Sequence, residues 1–145
     1  MNIFFDTTVL VAASTLSHPH YAQARPALLR VASGEDKGFI SAHSIAEVYA
    51  ALTRLPVVPR IHPVEAQRII RGNLLSNFQL VPVSTEDYLD ALGNVSGKGW
   101  SGAKIYDALL LSCAEKCAAD RIYTFNLGNF RALASVEMLA KICAP

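Results

Sequence analysis

The stretch "NIFFDTTVLVAAS", Asn2 to Ser14, sets one ionisable residue, Asp6, between two apolar runs. Asn2–Phe5 reads as a short buried strand, and Thr7-Thr8 can start the helix after it, which leaves Asp6 at the strand's carboxyl end. A lone buried carboxylate costs several kcal/mol and tends to take up a proton rather than stay charged. Aspartate is also a favoured N-cap and turn residue. Asp6 is therefore either a cap or a ligand, and the rest of the chain has to decide between them.

Working outward, short β-like runs alternate with longer helical patterns. Strands are expected at Asn2–Phe5, Gly38–Ser41, Gln79–Val83 and Arg121–Phe125, with a weaker one at Val136–Leu139. All are short, apolar and rich in β-formers, as buried parallel strands are. Helical segments are expected at Tyr21–Ala32, Ser44–Leu55, Pro63–Asn73, Glu86–Leu92 and Ala103–Ala119. Ser41 or Ser44 can cap the second of these, Pro63 suits a first turn, and Thr85 precedes first-turn acids. Such alternation predicts an α/β fold, a mostly parallel sheet of about five strands with helices on both faces.

The chain has 145 residues, about one domain's worth, so residues 1–145 are expected to form a single domain. Charged residues make up 17%, below the usual quarter, and 52% are apolar, which excludes disorder and implies apolar surface for a partner to cover. Formal net charge is +1, so any surface for an anionic partner must be local. No stretch reaches the roughly 20 apolar residues of a membrane span. The N-terminal run lacks a preceding Lys or Arg and is broken by Asp6, so a cytoplasmic protein is expected. Three cysteines without disulfide spacing (Cys113, Cys117 and Cys143) suit buried, reduced thiols.

Two further acids stand out. In "KIYDALLLSCA", Asp107 is the only charge between Lys104 and Glu115, on a face that continues through Leu110, Leu111 and Ala114. A carboxylate turned toward a buried face needs a partner. Glu47 lies one and a half turns into the helix after the second strand, beside Ser44, Ala51 and Arg54; taken alone it reads as exposed, paired with Arg54. Ile45, Val48, Tyr49 and Leu52 form that helix's core stripe. In a parallel sheet, ligands sit beyond the carboxyl ends of the strands, so one mouth can collect Asp6, Glu47 and Asp107. Two unit charges about 4 Å apart repel by roughly 4 kcal/mol at an effective dielectric of 20. Three clustered acids require a cation, and all-oxygen donors point to Mg2+ or Mn2+.

Other features are weaker. "GKGWSG", Gly97 to Gly102, matches the G-x-G-x-x-G fingerprint, but no strand runs into it, and it reads as a flexible loop offering Lys98 and Lys104 to phosphates. The histidines His18, His20, His43 and His62 have no metal-ligand spacing with one another or with cysteine. Tyr21, Tyr49, Tyr106 and Phe130 fall at core-compatible positions.

Taken together, "FFDTTVLVAA", "SAHSIAEVYAALTRL" and "GAKIYDALLLSCAEKCAADRIYTFNLGNFRAL" resemble the PIN-domain family, in particular VapC-type toxin ribonucleases, over essentially the whole chain. The resemblance implies a three-layer α/β/α sandwich, with the acids matching Asp6, Glu47 and Asp107 holding one or two magnesium or manganese ions. It implies RNA cleavage held in check by an antitoxin protein, and a homodimer. Thr8 stands where the family usually has Asn or Ser, and Asn126 and Asn129 stand where further Asp often appears; with Thr124 they are expected to support the acids. Arg54, Lys98 and Lys104 are the basic residues expected to hold RNA, with a structured loop as target. The alternative is a non-catalytic interaction domain of the same fold.

Overall fold

The computed structural model describes residues 1–145. The chain folds as β1 (Asn2–Phe5), α1 (Thr7–Ser14), α2 (Tyr21–Ala32), β2 (Lys37–Ser41), α3 (Ala42–Arg54) and α4 (Pro63–Ile69), the last running on into a π-helical turn at Ile70–Leu75. Then come β3 (Gln79–Val81), α5 (Thr85–Gly97), α6 (Lys104–Lys116), β4 (Arg121–Tyr123), α7 (Leu127–Leu133), α8 (Val136–Leu139) and β5 (Ile142–Cys143). The strands form one sheet in the order β3-β2-β1-β4-β5, every pairing parallel. β1, the first strand made, is the centre of the sheet.

Alternation along β1 sorts the core into two layers. Ile3 and Phe5 join Val9, Leu10, Leu28, Val48, Leu52 and Leu74 on one face. Phe4 joins Leu109, Leu110, Ile122, Phe130 and Ile142 on the other. Both layers are apolar and closed, as an α/β/α sandwich requires. Gly38 is needed on β2, because a Cβ there would stand 2.5 Å from the Phe78 ring and 2.6 Å from Val31.

Caps explain the helix starts. The Ser41 side chain accepts from His43 N at 3.1 Å, so the serine nearer the strand opens α3. Ser84, one residue before the expected Thr85, opens α5 in a capping box with Asp87. Two expectations fail. Val136–Leu139 is the short helix α8, not a strand: Ser135 stands at its N-cap position and Glu137 in its first turn, and Ile142–Cys143 supplies the fifth strand beside β4. Tyr49 and Tyr106 are 42% and 45% exposed, not core residues.

Candidate active site

The parallel arrangement aims the carboxyl ends of β1, β2 and β4 at one edge, and the chain delivers the acids there. Asp6 directly follows β1, Glu47 sits in the first half of α3 after β2, and Asp107 lies in the first turn of α6. Asp6 occupies the N-cap position of α1, yet its side chain makes no capping hydrogen bond. Instead Oδ2 accepts from the hydroxyls of Thr8 and, at 2.7 Å, Thr124. Each hydroxyl is itself fixed by a backbone donor, Phe125 N on Thr8 Oγ1 at 3.2 Å and Asn126 N on Thr124 Oγ1 at 2.9 Å. Asp6 is 2% exposed, so it is oriented as a ligand would be, not spent on the helix end.

Glu47 is three-quarters buried and does not pair with Arg54. Thr7 Oγ1 lies 3.3 Å from both Glu47 Oε1 and Ser44 Oγ, and His43 Nε2 lies 3.8 Å from Glu47 Oε1. Asp107 Oδ2 accepts from Asn126 Nδ2 at 3.1 Å, with the Asn129 amide close enough to favour its charged form. The two asparagines thus meet Asp107, while the two threonines meet Asp6.

The three acids share one electrostatic predicament. Burial raises the Asp6 pKa, and the threonine hydroxyls offset it only in part. Burial and then the charge of Asp6 raise Glu47. Burial, then Asp6 and Glu47, push Asp107 up to about 6, against weaker opposition from Asn129 and Lys104. No pair is closed by a basic residue. They are also not gathered into a ready-made shell: no three His, Cys, Asp or Glu side chains stand close enough to form one by themselves. A magnesium ion bound here would be held by one or two of these carboxylates, with waters and phosphate completing its shell. The oxygen-only donors and unbalanced negative charge fit Mg2+ or Mn2+.

Of the basic residues, Lys104 is at the mouth, its ammonium 4.6 Å from the Trp100 ring centre and its charge felt by Asp107. Lys98 lies 5.5 Å from the centre of the same ring, and its ammonium is engaged in donating to Ala132 O at 2.9 Å. Arg54 ends α3, about 10 Å along the helix axis from Glu47. The structure therefore brings one of the three expected RNA contacts to the acids. Thr7, Ser44, His43 and Tyr106 belong to the surroundings of the site without having been singled out. Only spacing could have pointed to them: His43 precedes Glu47 by one helical turn, and Tyr106 adjoins Asp107.

Known proteins match the chain in family and in fold. A family model described as the PIN domain matches residues 3–136. Ribonuclease VapC40 of Mycobacterium tuberculosis is 31% identical over 134 residues, covering 92% of this chain and 91% of that protein. Among solved structures, Mycobacterium tuberculosis VapC20, described as a Sarcin-Ricin loop cleaving toxin, superposes with a TM-score of 0.72 at 20% identity, covering 93% of this chain and 97% of its own. VapBC2 from Rickettsia felis, solved with a DNA fragment from their promoter, gives a TM-score of 0.63 at 20% identity over 90% and 92%. These last two likenesses are of fold.

Proposed function

The chain belongs to the PIN-domain family, among the VapC-type toxin ribonucleases, and on that premise we propose that Asp6, Glu47 and Asp107 are its metal-holding catalytic acids. The observation that carries this is three acids at one sheet edge, each raised in pKa by burial and two of them further by their neighbours, with only His43 at 3.8 Å from Glu47 and the weaker pull of Lys104 on Asp107 to oppose that charge. A divalent ion, Mg2+ or Mn2+, would supply positive charge against a phosphate oxygen and acidity to a water.

The protein's own groups do the rest. Thr8 and Thr124 hold the Asp6 carboxylate in one orientation. Asn126 and Asn129 do the same for Asp107. Asp107, raised to about 6 in the metal-free chain, and Glu47 are the two acids proposed to accept a proton from an attacking water, and a bound cation would favour the charged form of both. Lys104 offsets the charge of an incoming phosphate.

Partners follow the same logic. An antitoxin protein and a second copy of the chain are proposed to cover exposed apolar surface, which includes a groove of about 750 Å³ between α3 and α4 lined by Ile45, Tyr49, Val64 and Ile70. No helix is long and apolar enough to cross a membrane, and a cytoplasmic setting with a structured RNA loop as target is part of the proposal. The test is cleavage of a labelled RNA with and without magnesium or manganese, by the unmodified chain and by Asp6→Asn. Metal-dependent cleavage lost in the variant supports the proposal. A folded chain that cuts nothing with either metal would be the interaction domain instead.

A further inference from the structure

Beside the acids, on the side of β2 and α6, stands a group of aromatic rings that the chemistry above does not use. The His43 imidazole lies nearly parallel to the Tyr106 ring, centroids 5.4 Å apart and planes 22° from one another. The Tyr88 ring meets His43 edge-on at 6.4 Å, and its hydroxyl lies 3.5 Å from His43 Nδ1. The three rings come from three helices, α3, α5 and α6. The tyrosines stay open to solvent, Tyr88 at 42% and Tyr106 at 45% exposed, whereas the His43 side chain between them is 21% exposed. The group meets the acids at one point, where His43 Nε2 lies 3.8 Å from Glu47 Oε1, and Tyr106 precedes Asp107 on α6.

An RNA strand approaching this mouth meets three carboxylates and one nearby lysine, on a chain of net charge +1. Electrostatics alone gives it little hold, since phosphate binding ordinarily rests on several basic contacts. Stacking carries no such conflict, because every base has a π-face and an aromatic ring receives it regardless of charge. A ring already braced by its neighbours loses little freedom when a base settles on it.

We propose that Tyr106, braced by His43 and Tyr88, is a stacking surface for one unpaired nucleobase of the RNA and so positions the adjoining phosphate at Asp6, Glu47 and Asp107. The inference rests on the nuclease assignment for where the phosphate lies, but not for the stacking itself. It makes Tyr106 a positioning residue. A merely structural Tyr106 would cement α3 to α6 and be indifferent to whether the ligand carries bases.

The experiment compares two fluorescein-labelled, single-stranded eight-nucleotide ligands, a mixed-sequence oligoribonucleotide and the same phosphoribose chain without bases. Binding is read by anisotropy with calcium in place of magnesium, for the unmodified chain, Tyr106→Phe and Tyr106→Leu. The unmodified chain and the Phe variant should prefer the base-bearing ligand by about tenfold. The Leu variant, which keeps apolar volume but no π-face, should lose most of that preference. Equal affinity of the unmodified chain for both ligands overturns the proposal, as does an unchanged preference in the Leu variant or a weakening that is the same for both. Cleavage is read separately on gels, so a chain that stacks bases without cutting RNA overturns the nuclease assignment and leaves the stack standing.

Discussion

Asp6 and Asp87 are both buried aspartates at the amino ends of helices, and their surroundings are opposite. Asp87 closes the capping box with Ser84, accepts from Ser112 Oγ and is paired with Lys116. The Lys116 ammonium, followed by the Ser84 backbone, pulls its pKa down to about 2. Asp36 is settled in the same way by Arg30 and the N-terminal ammonium. Asp6 receives neutral donors alone, Glu47 has His43 at 3.8 Å and Asp107 the weak pull of Lys104; burial raises all three, and neighbouring acids raise Glu47 and Asp107 further. A structural carboxylate in this protein is given its counter-charge by the fold. The mouth has no counter-charge of that strength, which is the physical ground for proposing it as a metal site.

The contrast is broken most forcefully by neutralising one side at a time. Asp6→Asn, Glu47→Gln and Asp107→Asn should each reduce metal-dependent RNA cleavage by more than about a hundredfold. Their metal-free melting temperatures should hold or rise, because each removes repulsion. Full cleavage by any purified, folded variant would take that residue out of the site. At Asp87 the consequence is reversed. Lys116→Met strands a buried carboxylate, and with the lysine itself part-exposed the loss should be about 2 kcal/mol, read as a lower urea midpoint. Cleavage by the folded protein should be unchanged. A variant as stable as the unmodified chain would mean that the ion pair does not hold Asp87.

A smaller effect sharpens the same comparison through pH. Asp107 titrates near 6 in the folded chain against 3.8 ordinarily, so between those values the folded state holds a proton that the unfolded chain has lost. Metal-free stability therefore falls as pH rises from about 4 to about 6, by on the order of 1 kcal/mol after allowing for partial exposure. Asp87 contributes with the opposite sign: its stabilisation is present above 3.8 and is lost as pH falls toward 2. Urea midpoints in EDTA at pH 4.5 and 7 should differ accordingly, and Asp107→Asn should reduce the difference, with Asp6 and Glu47, raised as well, keeping the rest. A flat profile in the unmodified chain would show that Asp107 is not held at a raised pKa. Magnesium should invert the trend, its stabilisation growing through pH 6 as the acids are freed of protons.

How much of this was legible in the chain depends on the range of the forces involved. β1, the ends of α3 and the run of α6 follow from local apolar patterning and caps, so they could be read directly. The candidate acids were legible in part, because Asp107 interrupts an apolar face, whereas Asp6 taken alone reads equally as the cap of α1. Glu47 was not legible alone: its helical neighbours suggest an exposed pair with Arg54, and only Thr7 of α1, whose hydroxyl reaches both Glu47 and Ser44, shows where it turns. Val136–Leu139 has a β-prone valine at its start, but its backbone closes on Ser135 O, which accepts from Met138 N at 3.0 Å and Leu139 N at 3.2 Å. Ile142–Cys143 is too short to announce itself, and its strand state comes from pairing with Ile122 and Tyr123. Tyr49 and Tyr106 sit at periodic positions, yet the layers beneath them are already filled, so they remain outside. Patterning identifies a face, whereas occupancy of that face is decided by the rest of the chain.

The smallest effect concerns how many ions the mouth can hold. Three carboxylates carry about three negative charges when ionised, enough for one divalent ion. A second ion about 4 Å away adds repulsion between double charges that only further anionic ligands, or the RNA phosphate, can offset. Asn126 and Asn129 are where such ligands would stand, and both meet Asp107 as neutral amides. One ion per chain is therefore expected by isothermal titration of the RNA-free protein with manganese. Asn129→Asp or Asn126→Asp should tighten that binding by about threefold to tenfold, since the added charge is partly spent on repelling Asp107. The same substitution should lower metal-free stability, for it replaces an amide donor by a like charge beside a carboxylate that is already raised. The two effects must appear together if charge is the cause. Two tight sites in the unmodified chain would show that the asparagines do not limit the site, and tighter binding without loss of metal-free stability would show that they act by geometry instead.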